Sequence, residues 1–134
     1  MQELEEGSEL SLDFEKLRKV GSGKGSVLPV VLQHAESEAV LFMGYATRQA
    51  LQETLARREA VLWSTSRNEL WHKGATSGDV LDLVEVRVNC EQNSLLYRVL
   101  PRQGGVCHTR DAAGKTRRSC YYRKLDSDEG LSFL

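Results

Sequence analysis

Three cysteines and one histidine are the residues of this sequence best suited to metal chemistry. Cys107 and Cys120 bracket a polar, arginine-rich loop, and His108 follows the first of them directly. Cys90 lies 17 residues before Cys107, and Cys120 lies 13 residues after it. Three thiolates on a tetrahedral zinc ion leave one position open, where bound water becomes nucleophilic near neutral pH. These spacings differ from paired C-x-x-C zinc modules, and buried cysteines often serve only as small apolar side chains, so both interpretations stay open.

A second group, between residues 63 and 78, combines hydroxyls, glycines and cations in the manner of a phosphate-binding cradle. Arg67 and Lys73 would supply the positive charge, and two tryptophans would form apolar walls for a flat ring. The alternative makes the tryptophans core residues and the hydroxyls turn formers. The candidate substrate-binding residues are Trp63, Ser64, Ser66, Arg67, Lys73, Thr76, Ser77 and Gly78.

Length and charge limit the classes of protein that can carry these residues. The chain has 134 residues, enough for one domain with a real core and no disulfide framework. Residues 1–15 and 126–134 hold nine acids and no Lys or Arg, which leaves ten acids against 18 bases in residues 16–125. Such a basic body suits a small anionic ligand such as a phosphate ester. Solvated surface charge with polar ends explains the same pattern equally well.

Other partners and locations are disfavoured by what the sequence lacks. No apolar run approaches the ~20 residues of a transmembrane helix, so no membrane partner is expected. The first ten residues are acidic where a signal peptide would be basic and then apolar, which favours a cytoplasmic location. No dense Lys/Arg run with interleaved aromatics occurs, so no nucleic-acid partner is expected either.

The elements that must position these residues are mainly strands. Thr47 is a predicted N-cap for a helix that runs to about Arg58, and a short helix is predicted where Leu10, Phe14 and Leu17 share one face. Apolar runs and alternation predict strands at residues 27–33, 40–45, 60–64, 81–89 and 95–100.

Finer features refine this pattern. Ala50, Leu51, Thr54 and Leu55 form the expected inner face of the longer helix. In strand 81–89 the residues expected to face the core change from odd-numbered to even-numbered positions between Leu83 and Val84, which predicts a β-bulge. Strand 95–100 is expected to pair with residues 84–90 across a polar turn at 91–94.

The sequence therefore predicts one β-rich domain with one or two short helices. Residues 1–26 form an acidic segment with a short helix and a Gly-rich connector, residues 27–125 the main domain, and residues 126–134 an acidic tail. The connector lacks the residues of a phosphate-binding P-loop, because Arg18 and Gly25 stand where that motif needs Gly and Ser or Thr.

The order of several short motifs is more specific than any one of them. They are Tyr45 before a helix with Ala50-Leu51, Trp63-Ser-x-Ser-Arg67, Leu70-Trp71-x-Lys-Gly74, Thr76-Ser-Gly78, Cys90 before Leu95-Leu96, Cys107-His108-Thr109 and Ser119-Cys120-Tyr121. In this order they resemble the phosphoribosyl-AMP cyclohydrolase family, the histidine-pathway enzymes that open the adenine ring. The resemblance covers about residues 27–125.

The resemblance implies a fold, a reaction and a set of roles. The family is an intertwined homodimer of coiled, mainly antiparallel β-sheets with active sites between the subunits. Its zinc would be held by Cys90, Cys107 and Cys120, drawn from both subunits. Zinc-bound water would attack carbon 6 of the ring and the bond to nitrogen 1 would break, giving an imidazole carboxamide ribonucleotide. His108 would be the catalytic residue that transfers protons.

The chain departs from the family pattern around its first cysteine. The family usually has Asp-Cys-Asp-x-Asp here, associated with a magnesium ion, but this chain has Asn89, Glu91 and Asn93 at the aspartate positions. Because Mg²⁺ relies on carboxylates and substrate phosphates, the substitutions predict a magnesium site that is weakened or dependent on substrate. The segment between Cys107 and Cys120 is also about six residues longer than usual, with a predicted turn at residues 111–114.

Two other classes compete with this interpretation. Zinc nucleoside deaminases need His-x-Glu followed by Pro-Cys-x-x-Cys; His34-Ala35-Glu36 has the first spacing, but Pro-Cys-x-x-Cys does not occur here, so the pair of motifs is absent. A dimeric nucleotide-binding module, in which zinc only staples the subunits of a relative that has lost catalysis, stays open.

Overall fold

Eight strands and three helices make up the part of the chain that the structure, a computed structural model, describes: residues 3–23, 25–127 and 130–134. Lys24 of the predicted connector and Asp128 and Glu129 of the predicted tail lie outside these residues. The helices are α1 (Glu3–Glu6), α2 (Lys16–Gly21) and α3 (Arg48–Arg57). The strands are β1 (Leu28–His34), β2 (Val40–Ala46), β3 (Val61–Ser64), β4 (Glu69–His72), β5 (Leu81–Val88), β6 (Leu95–Pro101), β7 (Arg123–Leu125) and β8 (Leu131–Phe133).

The main sheet is mixed, in the order β2-β1-β6-β5. β1 pairs antiparallel with β2 but parallel with β6, while β5 and β6 form an antiparallel hairpin. The parallel pair corrects the expectation of mainly antiparallel sheets in one respect. A parallel pair needs a long crossover, and here the chain between β1 and β6 contains β2, α3, the small β3–β4 hairpin and β5.

One face of this sheet carries the core. Alternate residues of β1 and β6, including Val30, Leu32, Tyr97 and Val99, are fully buried and belong to one cluster with residues of α3 and β3. Their alternation is the period-two signal that predicted these strands. The core therefore fastens the β3–β4 hairpin, which carries much of the candidate site, to the sheet.

α3 begins and ends where the sequence predicts. The Thr47 hydroxyl accepts a hydrogen bond from the Ala50 N–H at 3.1 Å, and Arg58 ends the helix in a left-handed conformation with φ of 59°. Ala50 and Thr54 are fully buried as expected. Leu55 is 48% exposed, so its assignment to the inner face is wrong. The inner face is narrower than predicted because this short helix packs mainly on β3.

The bulge in β5 is confirmed. The pairing of β5 with β6 shifts register between Leu83 and Glu85, so Val84 is exposed between the buried Leu83 and the half-buried Val86. The extra residue restores the inward alternation on the far side of the bulge.

The predicted helix through Leu10, Phe14 and Leu17 is wrong. Two short helices, α1 and α2, stand before β1 instead, and residues 10–13 between them are not helical. Phe14 is 86% and Leu17 70% exposed, so the apolar spacing has no surface to pack against, and spacing alone does not stabilise a helix this short. The described residues therefore contain three helices rather than one or two.

The structure also contains strands that the sequence did not indicate. β4 pairs with β3, and β7 pairs with β8 close to the chain's last residues. None of the helices in the described ranges has the length and apolar character needed to cross a bilayer.

Candidate active site

A cavity of about 400 Å³ lies between the end of β4, the loop that follows it and the segment after β6. It brings together six of the residues that the sequence nominated: Arg67, Lys73, Thr76, Ser77, Cys107 and His108. Trp71, Asp79, Arg110 and Thr116 also line it. Two segments that are about 30 residues apart in the chain thus meet at one polar cavity.

Lys73 is the buried cation of this cavity. It follows β4 directly, its N–H donates to the Ala60 carbonyl at 3.2 Å, and only 7% of the residue is exposed. Burial lowers the pKa of Lys73, and the nearby Asp79 carboxylate opposes that shift. Its Nζ lies 5.9 Å from the centre of the Trp71 ring. A buried ammonium that faces a cavity is stabilised by an anion, so Lys73 is suited to a phosphate.

The loop after Lys73 depends on two glycines. Gly74 has φ of 82°, and the Gly78 N–H donates to its carbonyl at 2.8 Å, which closes a tight turn. A Cβ on Gly74 would lie 2.2 Å from the carbonyl carbon of Asp79. Gly78, also left-handed, shapes the turn without lining the cavity. The turn thereby presents Thr76 and Ser77 to the cavity.

Cys107 and Cys120 form a thiol pair. Cys107 is buried, and its Sγ lies 3.0 Å from the Thr109 hydroxyl and accepts the Thr109 N–H at 3.4 Å. Cys120 is exposed as a residue, but burial of its thiol, followed by the proximity of Cys107, raises the pKa of Cys120 to about 12. Residues 111–114 form the predicted turn, and the bridge between Arg110 and Thr116 closes the loop, so the lengthened segment returns Cys120 to Cys107.

Cys90 is far from this pair within one chain. It follows β5, one edge of the main sheet, whereas the Cys120 N–H donates to Leu41 of β2, the other edge. Three inter-strand spacings separate these edges, about 14 Å, and two thiolates on one zinc lie only ~4 Å apart. In the ranges that the structure describes, no three His, Cys, Asp or Glu side chains are grouped as metal ligands. Of the three cysteines predicted to bind zinc, only Cys107 and Cys120 therefore lie close together within one chain.

Asn89, Glu91 and Asn93, which replace the three aspartates of the family pattern, form hydrogen bonds with one another. The Asn89 side-chain oxygen accepts the N–H groups of Asn93 and Ser94 at 2.9 Å each, and its Nδ2 donates to Asn93 Oδ1 at 2.6 Å. Asn93 Nδ2 donates to the Glu91 carboxylate at 3.2 Å. These oxygens already serve the β5–β6 turn, and a single carboxylate is left, so the turn does not fit a magnesium ion.

His108 lies on the rim of the cavity. Its side chain is 81% exposed, and its Nε2 contacts the carboxylate of Glu5 in α1. The neighbouring Glu6 forms a bidentate ion pair with Arg117 at 2.6 and 3.0 Å. The acidic first helix therefore lies against the basic loop. The acidic segment was predicted to be separate from the site, and its sequence carries no signal for this contact.

Besides Gly78, three predicted substrate residues lie outside the cavity: Trp63, Ser64 and Ser66. Ser64 Oγ accepts the Arg67 N–H at 3.3 Å and lies 3.3 Å from Ser66 Oγ, so both hydroxyls stabilise the β3–β4 turn. Trp63 pairs with Leu70 across the hairpin. Trp71 is the tryptophan that lines the cavity, with its ring centre 6.3 Å from that of Phe42. Of the two tryptophans that the sequence offered as apolar walls, only Trp71 lines the cavity.

The protein is thus β-rich, with a mixed sheet, and its candidate site combines a thiol pair, a buried lysine and a polar cavity. The family profile of phosphoribosyl-AMP cyclohydrolase matches residues 42–122. The chain is 44% identical over 110 residues to the phosphoribosyl-AMP cyclohydrolase of Sphingopyxis alaskensis, covering 82% of this chain and 81% of that protein. It is 42% identical over 120 residues to that of Halobacterium salinarum, covering 90% and 87% of the two chains.

A longer relative matches the same region. The histidine biosynthesis bifunctional protein HisIE of Thermus thermophilus is 42% identical over 109 residues, which are 81% of this chain and 48% of that protein. The chain therefore belongs to the phosphoribosyl-AMP cyclohydrolase family, and it is an enzyme.

Proposed function

We propose that this enzyme hydrolyses the bond between carbon 6 and nitrogen 1 of the adenine ring of phosphoribosyl-AMP, a step of histidine biosynthesis. The observation that carries the proposal is the cavity that gathers Lys73, Cys107 and His108 in a chain of this family. Its cations and hydroxyls suit a phosphorylated nucleotide, and its one tryptophan wall suits a purine.

Each group of the cavity has a role in this proposal. Lys73 and Arg67 bind phosphate, with the hydroxyls of Thr76 and Ser77 as hydrogen-bond donors. Trp71 packs against the ring. His108, on the open rim beside Cys107, accepts a proton from the attacking water or donates one to the leaving nitrogen.

We also propose a homodimer that shares a zinc site. The thiols of Cys107 and Cys120 fit two ligand positions, and Cys90 of a second copy supplies the third, because the sheet separates it from them within one chain. Zinc bound this way would activate water and polarise the amidine carbon. No magnesium is assigned to the β5–β6 turn, whose oxygens are already hydrogen-bonded.

Subunit mixing tests the shared site. Cys90→Ser and Cys107→Ser homodimers should each be inactive and deficient in zinc. After unfolding and refolding together, half of the dimers would be mixed and hold one intact site of two, so about a quarter of wild-type activity should return in a symmetric dimer. If mixing restores nothing while both variants refold as dimers, the three thiolates do not come from two subunits.

The phosphate role of Lys73 is tested separately. Lys73→Ala should raise the Michaelis constant for phosphoribosyl-AMP, since the cavity loses its buried cation. Lys19→Ala is the matched control, because Lys19 is exposed and its nearest carboxylate is Asp13, outside the cavity. An equal change in both variants would argue against phosphate binding by Lys73.

A second candidate is a dimeric nucleotide-binding module in which zinc only joins the subunits. The observation that favours it is the Asn89–Asn93 hydrogen bond, which stands where relatives are expected to carry carboxylates. Tight nucleotide binding by a zinc-loaded dimer with no ring opening would support this candidate over the enzyme.

A further inference from the structure

A second cavity, of about 920 Å³, lies on the other side of the loop that carries Arg110 and Thr116. Four cations line it, together with three aromatic residues and two acids: Arg110, Lys115, Arg117, Arg118, Tyr121, Tyr122, Phe133, Glu6 and Asp111. We call this cavity, defined by these residues, the Arg117 cleft. Arg110 and Thr116 line both cavities, so the cleft adjoins the candidate active site.

Arg117 is already built as an oxyanion-binding group. Its side chain is only 12% exposed, and its guanidinium lies 4.0 Å from the centre of the Tyr122 ring. It donates to the Thr109 hydroxyl at 3.1 Å and to both carboxylate oxygens of Glu6. A guanidinium held in place by ring and hydroxyl contacts, with one edge directed at an oxyanion, is the geometry that binds phosphate as well as carboxylate.

The other cations of the cleft have no carboxylate within 4 Å among residues 3–23, 25–127 and 130–134. No ion pair is formed there by Arg110, Lys115 or Arg118. Asp111 is engaged by its own loop, since its side chain accepts the N–H groups of Ala113 and Lys115 at 2.9 Å each. Positive charge therefore exceeds negative charge in the cleft even with Glu6 in place.

Glu6 reaches Arg117 from a segment that is weakly held. α1 has four residues and buries none of them. Its other described hydrogen bonds and ion pairs with the body are few: Tyr122 donates to the Glu5 carbonyl, Arg123 donates to the carbonyls of Leu4 and Gly7, and Glu5 contacts His108. The segment is anchored at its end, where Ser8 accepts the Leu131 N–H at 2.7 Å, but no residue of α1 itself is buried. A short element without buried residues opens more readily than the core, so a ligand can compete with Glu6.

We propose that the Arg117 cleft binds a phosphate monoester and that Glu6 occupies this site in the free protein. A phosphate carries more charge and more acceptor oxygens than a carboxylate, so it displaces Glu6 from Arg117 and releases the Glu5 contact with His108. The acidic segment thus weakens the binding of phosphorylated ligands next to the active site. The chemical class of ligand follows from the cleft, and only its identity as a second phosphate of the substrate rests on the proposed function.

Calorimetric titration with AMP tests the competition, with adenosine as the ligand that lacks phosphate. Glu6→Gln keeps the size of the side chain but loses the charge, and it should bind AMP about five-fold more tightly, the size of effect given by a partly exposed ion pair. Glu3→Gln is the matched control, because Glu3 is in the same helix and makes no ion pair with the other described residues. Equal AMP affinity in the two variants would overturn the proposal.

Two further variants locate the bound phosphate. Arg117→Lys keeps the charge but loses the bidentate geometry, so it should abolish the gain that Glu6→Gln brings. Lys73→Ala should leave that gain intact, because Lys73 lines only the smaller cavity. If Lys73→Ala removes the gain instead, the phosphate lies in the 400 Å³ cavity and the proposal is wrong. These titrations measure binding alone, so they hold whether or not the protein opens the adenine ring.

Discussion

Replacing Gly74 with alanine tests whether the loop that forms the candidate active site requires glycine at this position. Gly74 has φ of 82°, and an added Cβ would lie 2.2 Å from the carbonyl carbon of Asp79 and 2.3 Å from the Val80 nitrogen. Both neighbours are backbone atoms, so the clash cannot be relieved by turning a side chain. The loop between Lys73 and Asp79 would have to move.

Gly104 separates the two costs of this change. It has φ of 85°, but an added Cβ would meet nothing within 4 Å. In Gly104→Ala the free energy of unfolding should therefore fall only by the cost of placing alanine in a left-handed conformation, about 1–2 kcal/mol. In Gly74→Ala the free energy of unfolding should fall by the same cost and by about 1–3 kcal/mol more for overpacking, roughly 3 kcal/mol in all. For a domain of this size each kcal/mol lowers the melting temperature by about 3–4 °C.

Thermal unfolding followed by calorimetry measures both variants. Gly74→Ala should melt about 10 °C below the wild type and Gly104→Ala about 3–8 °C below it. Gly74→Ala should also impair AMP binding at temperatures where it is folded, since Thr76 and Ser77 shift with the loop. Equal melting temperatures for the two variants would refute the loop geometry described here.

Three further predictions concern the core and its charges. Thr54→Val should destabilise the fold by about 2 kcal/mol, because the buried hydroxyl accepts the Val61 N–H at 2.9 Å and donates to a backbone carbonyl. In a urea titration of both variants Tyr97→Phe should cost clearly less than Thr54→Val, because the buried Tyr97 hydroxyl lies near the Thr54 hydroxyl but forms no hydrogen bond of normal geometry with the described residues; a loss as large as that of Thr54→Val would contradict this. Hydrogen bonds from His72 and Arg102 lower the pKa of Glu59, so this carboxylate stabilises the fold above its unfolded pKa of ~4.3 and loses that effect as the pH falls through the lower folded value. Glu59→Gln should therefore be less stable than wild type at pH ~6, with a difference that shrinks as the pH falls below ~4.3, and a constant difference in urea midpoint would refute the assignment.

The local elements of the fold could be predicted because their signals are local. Alternation identified β1, β2 and β6, the cap at Thr47 identified the start of α3, and the parity change after Leu83 identified the bulge. Each depends on residues within one strand or one turn. The parallel pairing of β1 with β6 has no such local signal, since it joins segments more than 60 residues apart.

The site was predictable in composition but less so in geometry. The cysteines, His108 and Lys73 stand out by residue type, whereas Ser64 and Ser66 have the same composition as a phosphate loop and instead hydrogen-bond within a turn. The charge pattern of the sequence identifies the acidic first residues and the basic body, but it does not indicate that the two are in contact. Glu6 and Arg117 are 111 residues apart, and only the tertiary structure places one on the other.

The most direct test of zinc-dependent ring opening is an ultraviolet absorption assay in which purified protein is mixed with phosphoribosyl-AMP. Metal content should be measured in the same samples before and after a chelator. The zinc-loaded protein should open the ring, lose this activity with the chelator and regain it on addition of zinc. A folded, zinc-loaded dimer that binds the nucleotide without opening its ring would contradict this.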